Sequence, residues 1–160
     1  MADAVFTVDA RDFAGLRAHL ANGDFAMIPA RRFINDSTMK LWREIALRTP
    51  VDTGRLRSSI TPRFMDDGLT GEVGTNLKQY AQHVEFGTRP HWPPLSALQP
   101  WARRHGFPKG KQGAFMVARS ISRKGTRPRR MFQAGLAASK PYIDSRAAQA
   151  LDEMERLWRS

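Results

Sequence analysis

The stretch Val51-Asp52-Thr53-Gly54-Arg55-Leu56-Arg57-Ser58-Ser59-Ile60 is followed by a second marked run, Tyr80-Ala81-Gln82-His83-Val84-Glu85-Phe86-Gly87-Thr88, and the reading of these two runs decides the fold. Pro50 ends a helical stretch. Asp52 is expected to cap the next turn by accepting backbone N–H bonds, and Gly54 to admit backbone where a side chain would obstruct it. Ser59 to Met65 predicts a strand, Asp66-Asp67-Gly68 a turn with positive φ at Gly68, and Leu69 to Gly74 the returning strand of a hairpin. Tyr80 to Phe86 is too short for periodicity to separate helix from strand; helix is the expectation.

Outward from this centre, Phe33, Ile34, Leu41, Trp42 and Ile45 recur at helical steps, predicting an amphipathic helix from Pro29 to Arg48. A short strand is expected at Val5–Val8, then a helix capped by Asp9 that carries Phe13, Leu16 and Leu20 and ends near Asn22-Gly23. Downstream, Pro90-His91-Trp92-Pro93-Pro94 reads as a stiff extended entry to a helix capped by Ser96, with Pro100 in its first turn and an end at Gly106. A loop at Phe107–Gly113, a helix at Ala114–Lys124 stopped by Gly125, and an exposed basic linker at Thr126–Arg130 follow. From Met131 the chain is helical, with a break expected at Pro141 and a last helix placing Ile143, Ala147, Ala150, Leu151, Met154 and Trp158 on one stripe. The expected class is α+β: a small antiparallel sheet packed with one long helix and C-terminal helices, plus a helical basic insertion.

The order and spacing of the two motifs, with Gly74-Thr75-Asn76 between them, resemble the tailed-bacteriophage head-tail joining and tail-completion proteins, a neck family to which minor tail protein Z of phage lambda looks related. The resemblance covers about a quarter of the chain, through Asp52, Thr53, Gly54, Leu56, Gly74, Tyr80, Ala81, Glu85, Phe86, Gly87 and Thr88. It implies a non-enzymatic part of the neck or tail end, acting as a multimeric ring where the tail meets the DNA-filled head. It also implies, as partners, the head-completion (stopper) and tail-terminator rings and further copies of itself. Location would be the host cytoplasm during assembly and the virion afterwards. His91 to Lys124 looks like an insertion, so partner contacts there do not carry over.

With 160 residues and 41% hydrophobic content, one domain with a single modest core is expected, its core about residues 1–88 and 131–160 and its insertion about 89–130. No run reaches the roughly 18 apolar residues that span a bilayer, and the N-terminus lacks a secretory pattern, so the expectation is a cytoplasmic protein with no membrane partner. Zero cysteines exclude disulfides, thiolate metal sites and thiol nucleophiles.

Charge is concentrated. Between Phe86 and Tyr142 there is no acidic residue, while 12 of the 26 Lys and Arg lie there; the other 14 face 15 acidic residues, so this segment owns the net charge of +11. Arg119, Arg123, Lys124, Arg127, Arg129 and Arg130 form a basic patch, expected opposite Phe115, Ala118 and Ile121 and read as a solvated face, a contact for an acidic neighbour, or a phosphate contact with packaged DNA. Without interleaved aromatics, any DNA contact would be through phosphate, not bases. Trp92, Trp101 and Phe107 are anchor candidates if exposed.

Chemical candidates are few. Asp52-Thr53-Gly54 is the aspartic-protease tripeptide, which would require a homodimer in which two carboxylates share a proton; the helical residues before it and the bulky Arg55 after it argue against that. His83 and Glu85 are two apart, on one side of a strand but on nearly opposite sides of a helix, and His91 and His105 have no carboxylate close in sequence. Neither a catalytic set, nor a metal site, nor a cofactor is expected. The alternatives to a particle part are a basic double-stranded-DNA-binding module and, remotely, the dimeric protease. Glu85, the last acid before the cations, reads either as an ion pair to Arg89, Arg127 or Arg129 or as an exposed carboxylate.

Overall fold

In the computed structural model, residues 6–9, 27–65 and 67–159 are described. The elements are β1 (Phe6–Asp9), α1 (Met27–Arg48), α2 (Arg55–Ser59), β2 (Ile60–Phe64), β3 (Thr70–Thr75), α3 (Lys78–Phe86), α4 (Leu95–Arg104), α5 (Lys111–Lys124) and α6 (Met131–Arg159). This is the expected α+β class. The first strand is present, whereas the helix expected from Asp9 to Asn22-Gly23 lies outside the described residues.

The hairpin expected from the sequence forms the middle and one edge of a three-stranded antiparallel sheet ordered β1-β3-β2. β3 pairs with β2 in the register Ile60↔Thr75 to Phe64↔Gly71 and with β1 from Phe6↔Val73 to Asp9↔Thr70. Pro62 sits in β2, an edge strand, where a missing N–H costs no ladder bond on the open side. Gly68 takes the positive φ the turn requires, +69°. The Asp67 carboxylate accepts the Leu69 N–H at 2.9 Å, and Arg31 Nε donates to the Asp67 carbonyl at 3.0 Å, tying the turn to α1.

Helix α1 is the spine. Its apolar stripe, Phe33, Ile34, Leu41 and Ile45, is fully buried among Leu56, Ile60 and Val73 on the sheet side and Phe132, Ile143, Ala150 and Met154 from α6. Two glycines bring its neighbours close. A Cβ at Gly71 of β3 would overlap the Thr38 hydroxyl, and a Cβ at Gly135 of α6 would lie 2.5 Å from Ile45 Cγ1 and 3.0 Å from its backbone. The α1–α6 pair is antiparallel, as its polar crosslinks show: Arg32–Glu153 at 3.1 Å, Arg146–Asp36 at 2.6 Å and Lys40 Nζ 5.7 Å from the Tyr142 ring centre.

Several boundaries differ from the sequence expectation. α6 runs unbroken through Pro141: that residue and Ala137, whose carbonyl loses its donor, are both exposed, so water can replace the bond while packing on α1 holds the helix on either side. α4 begins at Leu95 with Pro94, not Ser96, at its cap, so Pro100 falls in the second turn; the carbonyl it leaves free belongs to exposed Ser96. α5 begins three residues early, at Lys111, because Gly113 can lie against the Pro108 carbonyl. The Arg55–Ser59 turn of helix was not anticipated. It buries Leu56 and lets Arg57 Nε donate to the Ala46 carbonyl at 2.8 Å, satisfying the C-terminal end of α1.

Replacing glycine by alanine inside an open helix gains about 1 kcal/mol of propensity. At Gly135 the overlap with Ile45 should reverse that sign, since overpacking a tight core costs about 1–3 kcal/mol. Urea denaturation of Gly135→Ala should give a midpoint below that of the parent; a higher midpoint would mean the two helices can part freely.

Candidate functional site

The motif residues expected to form the framework divide into buried and exposed sets. In α3, Ala81 and Glu85 are one turn apart and face the core, while Tyr80 and Phe86 project outward, Phe86 with 72% of its surface exposed. Leu56 is buried; Gly74 lies half-buried in β3 opposite Thr61. Thr75, from the Gly74-Thr75-Asn76 link, joins its neighbours: its hydroxyl meets Ser59 Oγ at 2.6 Å and accepts the Leu77 N–H at 3.0 Å, fixing the start of α3 to the end of α2, where β2 begins.

Glu85 is only 3% exposed, and neither reading made from the sequence describes it. Its two carboxylate oxygens accept the Phe132 and Gln133 backbone N–H groups at 2.9 and 3.0 Å. These are the second and third positions of α6, the donors an N-cap side chain ordinarily satisfies. The residue at the cap itself, Arg130, holds φ at +50° and gives its carbonyl to the Ala134 N–H at 2.8 Å, but its side chain has only donors. Glu85 thus caps α6 from another helix, and its negative charge meets the positive end of the α6 dipole. The linker is exposed in its side chains, as expected, but anchored in its backbone: Arg129 and Arg130 N–H donate to the Val84 and Glu85 carbonyls at 2.8 and 3.1 Å.

Gly87 and Thr88 close the other side of this junction. Thr88 and Thr126 form an isolated antiparallel bridge, their N–H groups donating to each other's carbonyls at 3.3 and 3.2 Å and their hydroxyls meeting at 3.1 Å. Gly87 and Gly125, both at positive φ, flank the bridge, and a Cβ on either would strike the facing threonine carbonyl. Two Gly-Thr dipeptides therefore clasp the base of the 89–124 segment. The second dipeptide, Gly125-Thr126, repeats the first in the sequence, the one local signal of this pairing.

Asp52 does not cap α2. That helix has Gly54 at its cap, without a side-chain bond, and Gly54 is required for its φ of +81° and not for close packing, since no atom lies within 4 Å of a Cβ there. Thr53 Oγ1 lies 3.5 Å from the Arg55 N–H. The Asp52 carboxylate instead receives Arg104 of α4 in a two-pronged pair, Nε to Oδ1 at 2.9 Å and Nη2 to Oδ2. His105 Nδ1 lies 3.8 Å from Oδ1 and 2.9 Å from the Trp101 carbonyl, with its ring stacked on Trp101 at 4.0 Å. The Arg104 hydrogen bond holds the Asp52 carboxyl below the usual aspartate range. A protease dyad needs a carboxyl that keeps a shared proton at working pH, which a permanent guanidinium opposes.

In the basic patch, Arg119, Arg123 and Lys124 of α5 line a shallow depression with Met116 and Ser120, whereas Arg127, Arg129 and Arg130 are exposed on the linker. Phe115 was expected on the opposite side. It is exposed on the side of Arg119, one turn along the helix, because α5 buries Gly113, Ala114, Val117 and Ala118 instead. Trp92 packs edge-to-face on Phe115 at 5.6 Å and is exposed; Trp101 is half-buried and lies 5.9 Å from Phe107. Among the described residues no group of three or more His, Asp or Glu could hold a metal, and no helix is long and apolar enough to cross a membrane.

Residues 30–87 match the model of a phage protein family described as "Bacteriophage HK97-gp10, putative tail-component". The match runs from α1 through α3 and stops at the first Gly-Thr pair, leaving out the 89–124 segment and α6. It agrees with the neck and tail resemblance of the two motifs. No curated protein and no solved structure matches the chain.

Two outcomes test these assignments. Glu85→Gln keeps one acceptor but turns an N–H2 toward the α6 terminus, so unfolding free energy should fall by about 1–3 kcal/mol, with faster amide exchange at Phe132 and Gln133; unchanged exchange there would remove the capping role. For Asp52, a depressed carboxyl means the pair is intact above the unfolded value of about 3.9 and is lost as pH falls through the lower folded value. The Arg104 Nε–H resonance should therefore hold steady from neutral pH to about 5 and move only below about 4. A transition near neutral pH would contradict the pairing.

Proposed function

We propose that this chain is a non-enzymatic structural part of a tailed phage or prophage particle. It works at the tail end or neck, as one subunit of a ring through which head and tail join and DNA passes. The family match to a tail component supports the particle assignment. The observation that carries the mechanism is the division of labour within the motif: Leu56, Ala81 and Glu85 hold the framework, while Tyr80 and Phe86 of the same short helix stand in solvent. A motif built that way presents a surface; it does not enclose a substrate. Exposed large apolar side chains on a rigid helix are the kind of group that anchors protein contacts.

On this reading the partners are neighbouring neck and tail proteins and further copies of the chain, with the basic segment free to meet packaged DNA through phosphate alone. Each interface can be modest, because a closed ring repeats it and multivalency makes the whole firm. The protein would assemble in the host cytoplasm and remain in the virion.

Electron microscopy of lysates from a host in which this gene carries a nonsense mutation should reveal DNA-filled heads beside unattached or defective tails. Complementation with the intact gene should restore joined particles. Normal virions without the protein would end the assembly role.

A further inference from the structure

The outward face of α5 combines two features that a merely solvated basic helix lacks. Arg119, Arg123 and Lys124 line one depression, and none of them is in an ion pair among the described residues. Continuous with them lie three large apolar side chains, each about half exposed: Trp92 at 53%, Phe115 at 47% and Met116 at 49%. From Phe115 to Lys124 the helix rises about 13 Å, some two and a half turns.

We propose that this face is a docking site for an acidic amphipathic segment of another protein. Charge complementarity chooses the acid: the whole stretch from Gly87 to Pro141 lacks a carboxylate of its own, so its twelve cations have few internal partners. The apolar triplet then separates the two acidic macromolecules. Duplex phosphate could neutralise the cations, but it offers nothing apolar to cover Trp92, Phe115 and Met116. A protein segment carrying acids on one side and aliphatic or aromatic residues on the other can meet both. Met116 and Arg119 beside the aromatic pair favour such a mixed contact, because methionine adapts to irregular apolar shapes and arginine binds carboxylates bidentately. The clasp of Thr88 with Thr126 closes the segment's ends, and the Asp52–Arg104 pair with the Arg129 and Arg130 bonds to Val84 and Glu85 holds it to the matched block, so the face has a fixed place relative to the motif.

This site rests on the particle reading only for where its partner is found, and it can be measured on the purified chain. The probe is a labelled synthetic helical peptide with glutamates along one face and leucines along the other. A scrambled peptide of identical composition, a duplex oligonucleotide and a single-stranded oligonucleotide serve as competitors. At physiological ionic strength the ordered peptide should bind at least about tenfold more tightly than the scrambled one. Phe115→Ala should erase that difference while leaving the charge-driven remainder, and Arg119→Glu with Arg123→Glu should abolish both. All three positions are solvent-exposed, so circular dichroism should be unchanged. Equal affinity for the two peptides, preference for either oligonucleotide, or no binding of the ordered peptide would each overturn the proposal. Any of those results would leave the electron-microscopic test of the particle role untouched.

Discussion

A carboxylate that is 3% exposed, set against the first turn of a 29-residue helix, is the constraint from which the rest of this architecture follows. Taking a charge out of water costs several kcal/mol unless fixed donors replace the lost hydration. Glu85 obtains them from two N–H groups of α6 that would otherwise be orphans, so each side removes the other's penalty. The bargain is geometric as well as energetic. It fixes where α6 starts, and with α6 held, Gly135 meets Ile45 and the long antiparallel contact with α1 falls into register. The sheet attaches to the same helix through Gly71 and Thr38. One side chain of a nine-residue helix thus joins a chain of contacts that runs through α6 and α1 to the sheet.

The same junction explains how a basic excursion of the chain can be carried without disturbing the block beneath it. Backbone bonds from Arg129 and Arg130 to Val84 and Glu85, and the mutual bridge of two Gly-Thr dipeptides, bring the ends of the 89–124 segment together. Closing a loop at its base lets its length and sequence vary at small entropic cost to the rest. The family match ends at this closure, at residue 87. What lies beyond it is held back to the block by side chains as well, with Arg104 on Asp52, a pair partly exposed and screened by salt and therefore positional more than stabilising.

Much of this was legible in the residues. The α1 stripe, the hairpin with its positive-φ Gly68 and the overall α+β class follow from periodicity and turn chemistry, which are local. What sequence reasoning could not reach were pairings across distance. Asp52 reads locally as a cap for the next turn, a common use of a short acidic side chain; its actual partner is 52 positions away. Glu85 looked like an ion-pair partner for nearby arginines, yet its ligands are backbone amides 47 and 48 residues on, which no side-chain pattern advertises. Local propensity predicts a break at Pro141 and tolerates Pro100 only in a first turn, and solvent exposure of the carbonyls they orphan overrides it.

Phe115 shows how a small error in helix phase changes a functional reading. With α5 begun at Ala114 and Phe115 counted inward, the basic stripe has no apolar companion, and a solvated face, an acidic neighbour and phosphate all stay open. With α5 begun at Lys111 and the small residues Gly113, Ala114 and Ala118 turned to the interior, Phe115 joins Arg119 in solvent and meets Trp92. Small residues are what close packing requires on the inner side of this segment, where Gly113 lies against the Pro108 backbone. Phe115 and Met116 are left outward. An excursion too short to hold a large core of its own is thereby left with a surface both cationic and apolar, and that combination narrows the chemistry able to cover it.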